Sequence, residues 1–499
     1  MSKPVFRLYD TLSRQVKELK TLEPEHLRFY SCGPTVYSYA HIGNFRTFLT
    51  ADLIIRTAEA LGWKVSYVTN ITDVGHLTQD DVADMAGEDR MAKALAREGQ
   101  RFASVWDLAE HYIQALKGDW SRLNLKEPLT RPRATQYMAE QIKMIEALIE
   151  KNHAYETPTG VYYDVRSFPE YGKLSGNVNQ EQLMVGVRDV VTDDNKRHTA
   201  DFALWKKDPK HLMQWFSPWN WGFPGWHIEC SAMARELLGD TLDLHAGGED
   251  LRFPHHECEI AQSEGLTGKP FSNHWVHTAF LQVEGEKMSK SIGNLFTVEE
   301  LVDERGADAL AVRYALISGV YGKPLNFTMQ TLEDANKNVE RFRTSGTHIE
   351  KALKENRPGE DAIGPDLRDL YDATLAAMCD NLNTAVALAK ALEGTRVILR
   401  EGDTMSAASA TSGKEFLDRV NGLLGVVRYD NGYDEEPCGD YKATHVDEAL
   451  VNAKVEERNA AKKAKDFTKA DAVREELAGM GIELRDTPEG TTWHVKPRF

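Results

Sequence analysis

A chain of 499 residues with 41% hydrophobic and 27% charged residues is too long for one compact domain and too ordinary in composition for a collagen, a disordered tail or a disulfide-dense scaffold. Its 60 basic and 77 acidic residues leave a formal charge of −17, which taken as a total disfavours a nucleic-acid partner, because phosphate contacts need Lys and Arg. The balance is uneven: from Tyr441 onward eleven basic residues match eleven acidic ones, so the first 440 residues carry the whole negative charge. Five scattered cysteines (Cys32, Cys230, Cys258, Cys379, Cys438) read as reduced thiols, buried or metal-ligating, not as a disulfide frame. The charged amino terminus lacks the apolar core of a signal peptide, and no later stretch reaches membrane-spanning length, so a cytoplasmic protein without a membrane partner is expected.

In chain order, LRFYSC (27–32) reads as a buried strand that passes through a Gly-Pro turn into a helix marked by Phe45, Phe48, Leu49, Leu53 and Ile54 and stopped by Gly62. KVSYVTNIT (64–72), rich in β-branched residues, reads as a second strand. Strand, helix and parallel strand form a βαβ unit of Rossmann type, which places the chain in the α/β class. Over 123–221 the pattern changes to a long amphipathic helix at about 134–151, short hairpin-like strands such as GVYYDV, and Pro/Asn/Asp-rich loops; it reads as an insertion that divides the nucleotide-binding fold into halves at 1–122 and 222–307. The sheet resumes at LDLHAGGEDL and WVHTAFLQV. A helical bundle is expected over 308–428, with 403–414 and 429–440 as loops or linkers, and a small terminal domain over 441–499.

Two motifs carry chemistry. His41-Ile42-Gly43-Asn44 stands where a strand hands over to a helix, and a helix start offers N–H groups and a positive dipole end to phosphate. His41 and Asn44, three apart, can both face such a ligand, with Gly43 letting backbone approach it; alone, the tetrapeptide equally reads as a plain helix start. The second is Lys287-Met288-Ser289-Lys290-Ser291, bracketed by Gly285 and Gly293. Its two lysines and two serines suit a clamp on polyphosphate, where lysine charge offsets the negative charge that builds on a leaving pyrophosphate.

Together these segments resemble the HIGH and KMSKS signatures of class I aminoacyl-tRNA synthetases, with Asn44 in place of the second histidine. CGPTVYSYAHIGNFRTF, NITDVGH, PGWHIECSAM, FPHHECEIAQSE, EKMSKSIGN, GKPLNFT and ERNAAKKAKDFTKAD narrow the resemblance to the cysteinyl-tRNA synthetase family over nearly the whole chain. It implies a Rossmann-type catalytic domain split by a connective insertion, followed by a helical bundle and an anticodon-binding domain. The implied substrates are ATP with Mg2+, L-cysteine and tRNA(Cys), and a monomer is expected. Lys290, Lys287, His41 and Asn44 are the expected catalytic residues, with Gly43, Met288, Ser289 and Ser291 completing the ATP site.

The residues themselves agree with a metal. If Pro254 opens a helix, His255 and Glu259 lie at i and i+4 on one face. Cys32 ends the first strand, and Cys230 falls in a helix expected after Pro224-Gly225. Each cysteine alone reads as a buried thiol; in the family, the positions matching Cys32, Cys230, His255 and Glu259 bind Zn2+. Cys258, where the family commonly has asparagine, is a third thiol that competes with Glu259. By resemblance, Thr72, Trp226 and Asp250 contact the substrate, Asp250 pairing with its ammonium group, while Trp226 equally reads as core. Gly33 and Thr35, just past the first strand, line the same pocket. Zinc can select a substrate thiol by direct coordination, so no proofreading domain is needed.

On a helix through 454–469, Arg458, Lys462, Lys465 and Lys469 fall at i, i+4, i+7 and i+11 as one basic stripe able to track phosphates, with Phe467 beside it to stack a base or fill a core. The family resemblance puts anticodon recognition here. The rival readings are an amino-sugar cysteine ligase of mycothiol synthesis, which lacks this terminal unit, and a zinc-dependent RNA-binding module without turnover.

Overall fold

A computed structural model describes residues 3–76, 89–176, 195–288, 293–427, 448–464, 466–479, 482–487 and 490–495. A short antiparallel hairpin, β1 (Arg7–Asp10) and β2 (Gln15–Glu18), precedes the expected βαβ unit; its four-residue strands are too short for an alternating pattern to reveal them. The unit itself is β3 (His26–Ser31), α1 (Ile42–Ala60) and β4 (Lys64–Thr69), with β3 and β4 parallel and Gly62 at φ 85° ending the helix as expected.

Helices α2 (Arg90–Glu98) and α3 (Val105–Arg122) follow, then a 3-10 turn at Ala134–Tyr137 that continues into α4 (Met138–Glu150). Strands β5 (Ala154–Glu156), β6 (Gly160–Tyr163), β7 (Phe202–Lys206) and β8 (Phe223–Pro224) form an antiparallel sheet in that order. The chain then returns through α5 (Trp226–Leu238), β9 (Leu244–Gly248), α6 (His255–Thr267) and β10 (Trp275–Thr278) to the first sheet. That sheet is all parallel, in the order β10-β9-β3-β4. From β3 the chain first builds outward to β4 and later comes back to β9 on the other side. The β3/β9 boundary is therefore the topological switch point, where the two crossovers diverge and leave a crevice at the carboxyl ends of the strands.

Strands β11 (Leu281–Val283), β12 (Glu286–Lys287) and β13 (Leu325–Phe327) form a small sheet ordered β12-β11-β13, with α7 (Ala309–Ile317) inserted before β13. The stretch after Asp308 is thus not wholly helical, as was expected: GKPLNFT leaves the bundle to pair parallel with β11. Helices α8 (Met329–Lys354), α9 (Gly364–Cys379), α10 (Thr384–Glu401) and α11 (Ala407–Leu424) follow. The last corrects a second expectation. The small, polar run at 403–414 is not a linker: Ser406 caps α11, and Ser409, Ala410 and Gly413 are buried, Gly413 meeting Ile349 and Ile398. Small residues there let neighbouring helices approach closely. The expected linker at 429–440 lies outside the described residues.

A buried ion cluster ties the catalytic half to the bundle. Asp52 on α1 pairs with Arg56 at 2.7 Å and with Arg313 on α7, and both guanidinium groups donate to carbonyls at the end of α11. The terminal unit comprises α12 (Glu448–Lys463), α13 (Phe467–Gly479) and the hairpin β14 (Ile482–Thr487) and β15 (Gly490–Val495). It has its own small core of Val451, Val455, Val473 and Leu477.

Candidate active site and metal centre

Four elements converge at the switch-point crevice. Cys32 follows the last residue of β3, Cys230 lies one turn into α5, and His255 and Glu259 occupy the first turn and a half of α6, which starts after Pro254 as expected. One ligand atom from each lies within 4.8 Å of the others, and all four residues are buried. Cys32 Sγ stands 3.8 Å from Cys230 Sγ and 3.6 Å from Glu259 Oε1, and His255 Nε2 lies 3.2 Å from that same oxygen. Burial pushes the Cys32 thiol well up, and the neighbouring Cys230 and Glu259 push it further. Burial opposes ionisation of Cys230 too, but hydrogen bonds with Cys32 and His255 outweigh it and bring that thiol down. His255 is raised to about 10: burial alone would lower it, but Glu259 and Cys230 favour its charged form.

Two thiols and a carboxylate packed this tightly repel one another once ionised, and a divalent cation removes that repulsion. The donor chemistry, two sulfurs with one imidazole nitrogen and one carboxylate oxygen, suits Zn2+, so the residues fit the metal the sequence implied. Cys258 does not compete. It lies outside the cluster, about 100° around α6 from Glu259, with its sulfur 3.4 Å from the Tyr171 hydroxyl.

A second layer surrounds the cluster and was not read from the sequence. His256 Nε2 is 3.3 Å from Cys32 Sγ, and its Nδ1 is 2.8 Å from His277 Nε2, whose other nitrogen meets Thr11 Oγ1 at 2.8 Å. His245 Nε2 lies 2.7 Å from Glu259 Oε2. Burial holds His256 and His277 below their ordinary range, His277 at about 3, so both are neutral donors and acceptors. Cys32, His245, His256 and Glu259 also form a tetrad within 4.8 Å. The two-thiol set is the better site, because its second sulfur adds a soft anionic donor for Zn2+ where the other set has only a further imidazole. The signals available were the doublet His255-His256 and the inward position of His245 on β9; neither decides which ring turns to the metal.

The expected substrate pocket adjoins this cluster. Asn70 is its hub: Oδ1 accepts the Gly33 N–H at 2.7 Å and the Cys230 thiol at 3.6 Å, and Nδ2 donates to Thr72 Oγ1 at 3.1 Å. A side chain on Gly33 would strike the Asn70 carbonyl at 1.7 Å, so glycine is required there. Thr72 donates to Glu229 Oε2 at 3.0 Å, and the other Glu229 oxygen meets His76 Nε2 at 2.8 Å. Thr72 thus braces the wall through buried hydrogen bonds, and Thr35 pairs with it as an isolated β-bridge. Trp226 is only half-buried, with its ring 4.5 Å from that of His255 and 6.4 Å from that of His76, so it borders the metal cluster instead of filling core. Asp250 is exposed just past β9, its carboxylate folded over Gly248.

On the other side of the crevice lies the start of α1. His41 Nδ1 accepts the Asn44 N–H at 3.2 Å, and Asn44 Oδ1 accepts the His41 N–H at 3.0 Å, a reciprocal cap. Because Nδ1 accepts a backbone N–H, the ring proton sits on Nε2. His41 and Asn44 therefore keep N–H donors, Nε2–H and the amide NH2, outside the cap. This gives Asn44 a role in place of the expected histidine. The Met288 methyl would overlap any side chain on Gly43, approaching its Cβ position to 2.3 Å. Farther along, the Ile42 N–H donates to the Phe296 carbonyl at 2.9 Å. Both flanks of 289–292 thus lie against the helix start. Lys287 is exposed, its ammonium 5.9 Å from the Phe280 ring. Ser289, Lys290 and Ser291 lie outside the described residues.

The basic stripe is corrected. The helix breaks between Lys463 and Phe467, where the Asp466 side chain accepts the Lys469 N–H at 3.1 Å and begins a new helix. Arg458 stands at i+7 from Val451 and i+3 from Val455, on the core face, and is 3% exposed. Lys462 and Lys469 are exposed, Lys469 pairing with Glu457 at 3.0 Å; Lys465 and the Phe467 side chain lie outside the description.

Comparison with known proteins matches this architecture. The family model for the catalytic domain of class I (C) tRNA synthetases covers residues 18–337. A cysteine–tRNA ligase of Salinibacter ruber is 52% identical, with 99% of each chain covered. The chain belongs to the cysteine–tRNA ligase family. A second member, from Symbiobacterium thermophilum, is 42% identical over 98% of this chain and 99% of its own. Among solved structures, Mycobacterium tuberculosis methionyl-tRNA synthetase in complex with methionyl-adenylate superposes with a TM-score of 0.56 at 14% identity, covering 80% of this chain and 92% of its own. An Agrobacterium radiobacter leucyl-tRNA synthetase in ternary complex with tRNA reaches 0.58 at 12% identity, covering 87% and 88%. At these identities the likeness is one of fold. As a member of the cysteine–tRNA ligase family the chain is a ligase with a class I synthetase fold.

Proposed function

We propose that this ligase activates L-cysteine with Mg2+-ATP and then transfers it to the 3′ end of tRNA(Cys). The observation that carries the reading is the buried Cys32, Cys230, His255 and Glu259 cluster in the same crevice as the donor-lined start of α1. Zn2+ held by those four side chains supplies a soft acceptor for the substrate thiolate, an interaction serine's hydroxyl cannot match. Trp226 packs beside the substrate, and Asp250 at the rim pairs with its ammonium group. The Nε2–H of His41, the NH2 of Asn44 and the helix dipole meet the phosphate oxygens, and Lys287 and Lys290 neutralise charge on the leaving pyrophosphate. The cysteine carboxylate attacks the α-phosphorus and pyrophosphate departs. A ribose hydroxyl of the terminal adenosine then attacks the adenylate carbonyl and AMP departs. No side-chain nucleophile is needed, because positioning and charge stabilisation supply the rate.

Lys462 and Lys469 are exposed on adjoining helices and, with Lys465 and Phe467, make the anticodon-facing surface; Arg458 supports it from the core. The buried, reduced cysteines suit a cytoplasmic setting, and we take the working form to be a monomer. We keep the domain limits expected from the sequence except at two points: Phe223–Pro224 joins the sheet of the insertion and Leu325–Phe327 the small sheet with β11, while the helical unit reaches through α11.

The test is cysteine-dependent ATP–pyrophosphate exchange with serine as control, before and after zinc removal, in the full chain and in one truncated near Asp440. Exchange with cysteine alone, lost with zinc and surviving a truncation that abolishes tRNA charging, is the expected result. No exchange in the full chain would sink the reading.

A further inference from the structure

Arg46, one turn into α1, is 2% exposed, and among the described residues no carboxylate lies within ion-pair distance of it. Burying a guanidinium without a counter-charge is costly unless its hydrogens are all engaged. Here the four on Nη1 and Nη2 are aimed at main chain. Nη1 donates to the carbonyls of Ala279 and Phe280 at 2.5 and 2.7 Å, and Nη2 to those of Val320 and Lys323 at 3.3 and 2.6 Å. The first pair of carbonyls belongs to the junction between β10 and β11, the second to the segment that leads into β13.

These carbonyls are not in arbitrary places. β11 pairs with β12 on one side and β13 on the other, so Arg46 grips the sheet at the root of both connections. The two gripped segments are also laced together, with the Ala279 N–H donating to Tyr321 at 2.9 Å and the Leu325 N–H to Phe280 at 3.2 Å. β12 ends at Lys287, and the next side chain, Met288, lies on Gly43 at the start of the helix that carries Arg46. The Phe280 ring, whose own carbonyl Arg46 holds, stands 5.9 Å from the Lys287 ammonium. A hydrophobic residue at 46 could fill the same volume, but it could not fix four carbonyls from two chain segments in one plane.

We propose that Arg46 is a positioning residue for the phosphate-binding groups: its four carbonyl contacts set the β11–β12–β13 sheet, and Lys287 with it, at the spacing from His41 that lets both act on one triphosphate. This rests on the ATP site proposed above. Arg46 itself touches no substrate; it acts through Phe280 and β12.

The test compares Arg46→Lys with the unaltered zinc-loaded chain in ATP–pyrophosphate exchange, with zinc content and thermal midpoint measured alongside. Lysine keeps the charge but not the planar fork. The expected result is a loss of about 100-fold in kcat, the scale of an ångström-sized misplacement, with the KM for cysteine and the zinc content unchanged. A lowered thermal midpoint with wild-type kcat and KM for both substrates would overturn the proposal and leave Arg46 a fold residue. Should Arg46→Lys not accumulate as folded protein, Phe280→Ala carries the test, because that ring is 47% exposed and its removal spares the core. A rise of about fivefold in the KM for ATP, the worth of a cation–π contact, with an unchanged KM for cysteine supports the relay, and an unchanged KM for ATP overturns it. No exchange in the unaltered chain would overturn the functional reading and this inference together, whereas equal exchange in the unaltered chain and Arg46→Lys would overturn this inference alone.

Discussion

The two walls of the crevice are built by opposite means. On the metal side, side chains from the end of β3, α5 and α6 meet in a buried cluster, and a second layer of imidazoles holds the first: His256 leans on His277 and His277 on Thr11. On the phosphate side, the groups are half-buried, as at His41 and Asn44, or exposed, as at Lys287, and are held through main chain: a helix cap, a glycine under Met288, and carbonyls gripped from below. The difference follows from the ligands. A thiol is recognised by removing water around a soft ion, so its site has to be closed and pre-formed. A triphosphate arrives hydrated and leaves as pyrophosphate, so its site has to stay open.

If that contrast holds, changes on the metal side should cost substrate recognition and changes on the phosphate side should cost stability or rate with the metal retained. The largest effect is expected from Cys230→Ala, which removes one of two sulfur ligands: zinc should fall from one per chain to none by elemental analysis, and cysteine-dependent exchange should vanish. His256→Ala leaves the four ligands but removes the ring beside Cys32. Zinc affinity, read by competition with a chelator, should fall about 10–100-fold, the usual cost of an outer partner. Retention of full affinity would show that the second layer is only packing.

Asp119, on α3 near Asp303 in the helical turn Glu300–Glu304, gives a pH test. Burial lifts its carboxyl to about 7, Arg122 opposing and Glu299 and Asp303 reinforcing the shift. A folded pKa above the unfolded value means that the folded chain binds the extra proton. The associated stability is therefore present below about pH 4 and is lost as pH rises through 7. Asp119→Asn should flatten urea-unfolding stability across that window and add up to about 4 kcal/mol at pH 8, with zinc content unchanged. The smallest effect is expected from Asn44→Ala, which removes half of the reciprocal cap. It should cost about 1 kcal/mol in urea unfolding and leave the metal bound.

The parts of this protein that its sequence determined are those in which neighbours along the chain are neighbours in space. The βαβ unit, the glycine that ends α1, the helix start at His41 and the i, i+4 pair His255 and Glu259 are all local, and their periodicity or capping chemistry is enough to read them. Resemblance then supplied the two cysteines, which no spacing could join. What only the tertiary structure decided is which face of an element meets which neighbour. Cys258 and Glu259 are adjacent, yet about 100° of helical rotation sends one to Tyr171 and the other to the metal cluster. Arg458 belongs to a basic stripe by count but to the core by its place beside Val451 and Val455. The run at 403–414 looks like a linker because small polar residues are cheap in loops, and it is a helix because the same small residues let α11 pack against its neighbours. Arg46 is silent in the sequence for the same reason: its partners are carbonyls, which every residue carries, and only the fold brings those four within its reach.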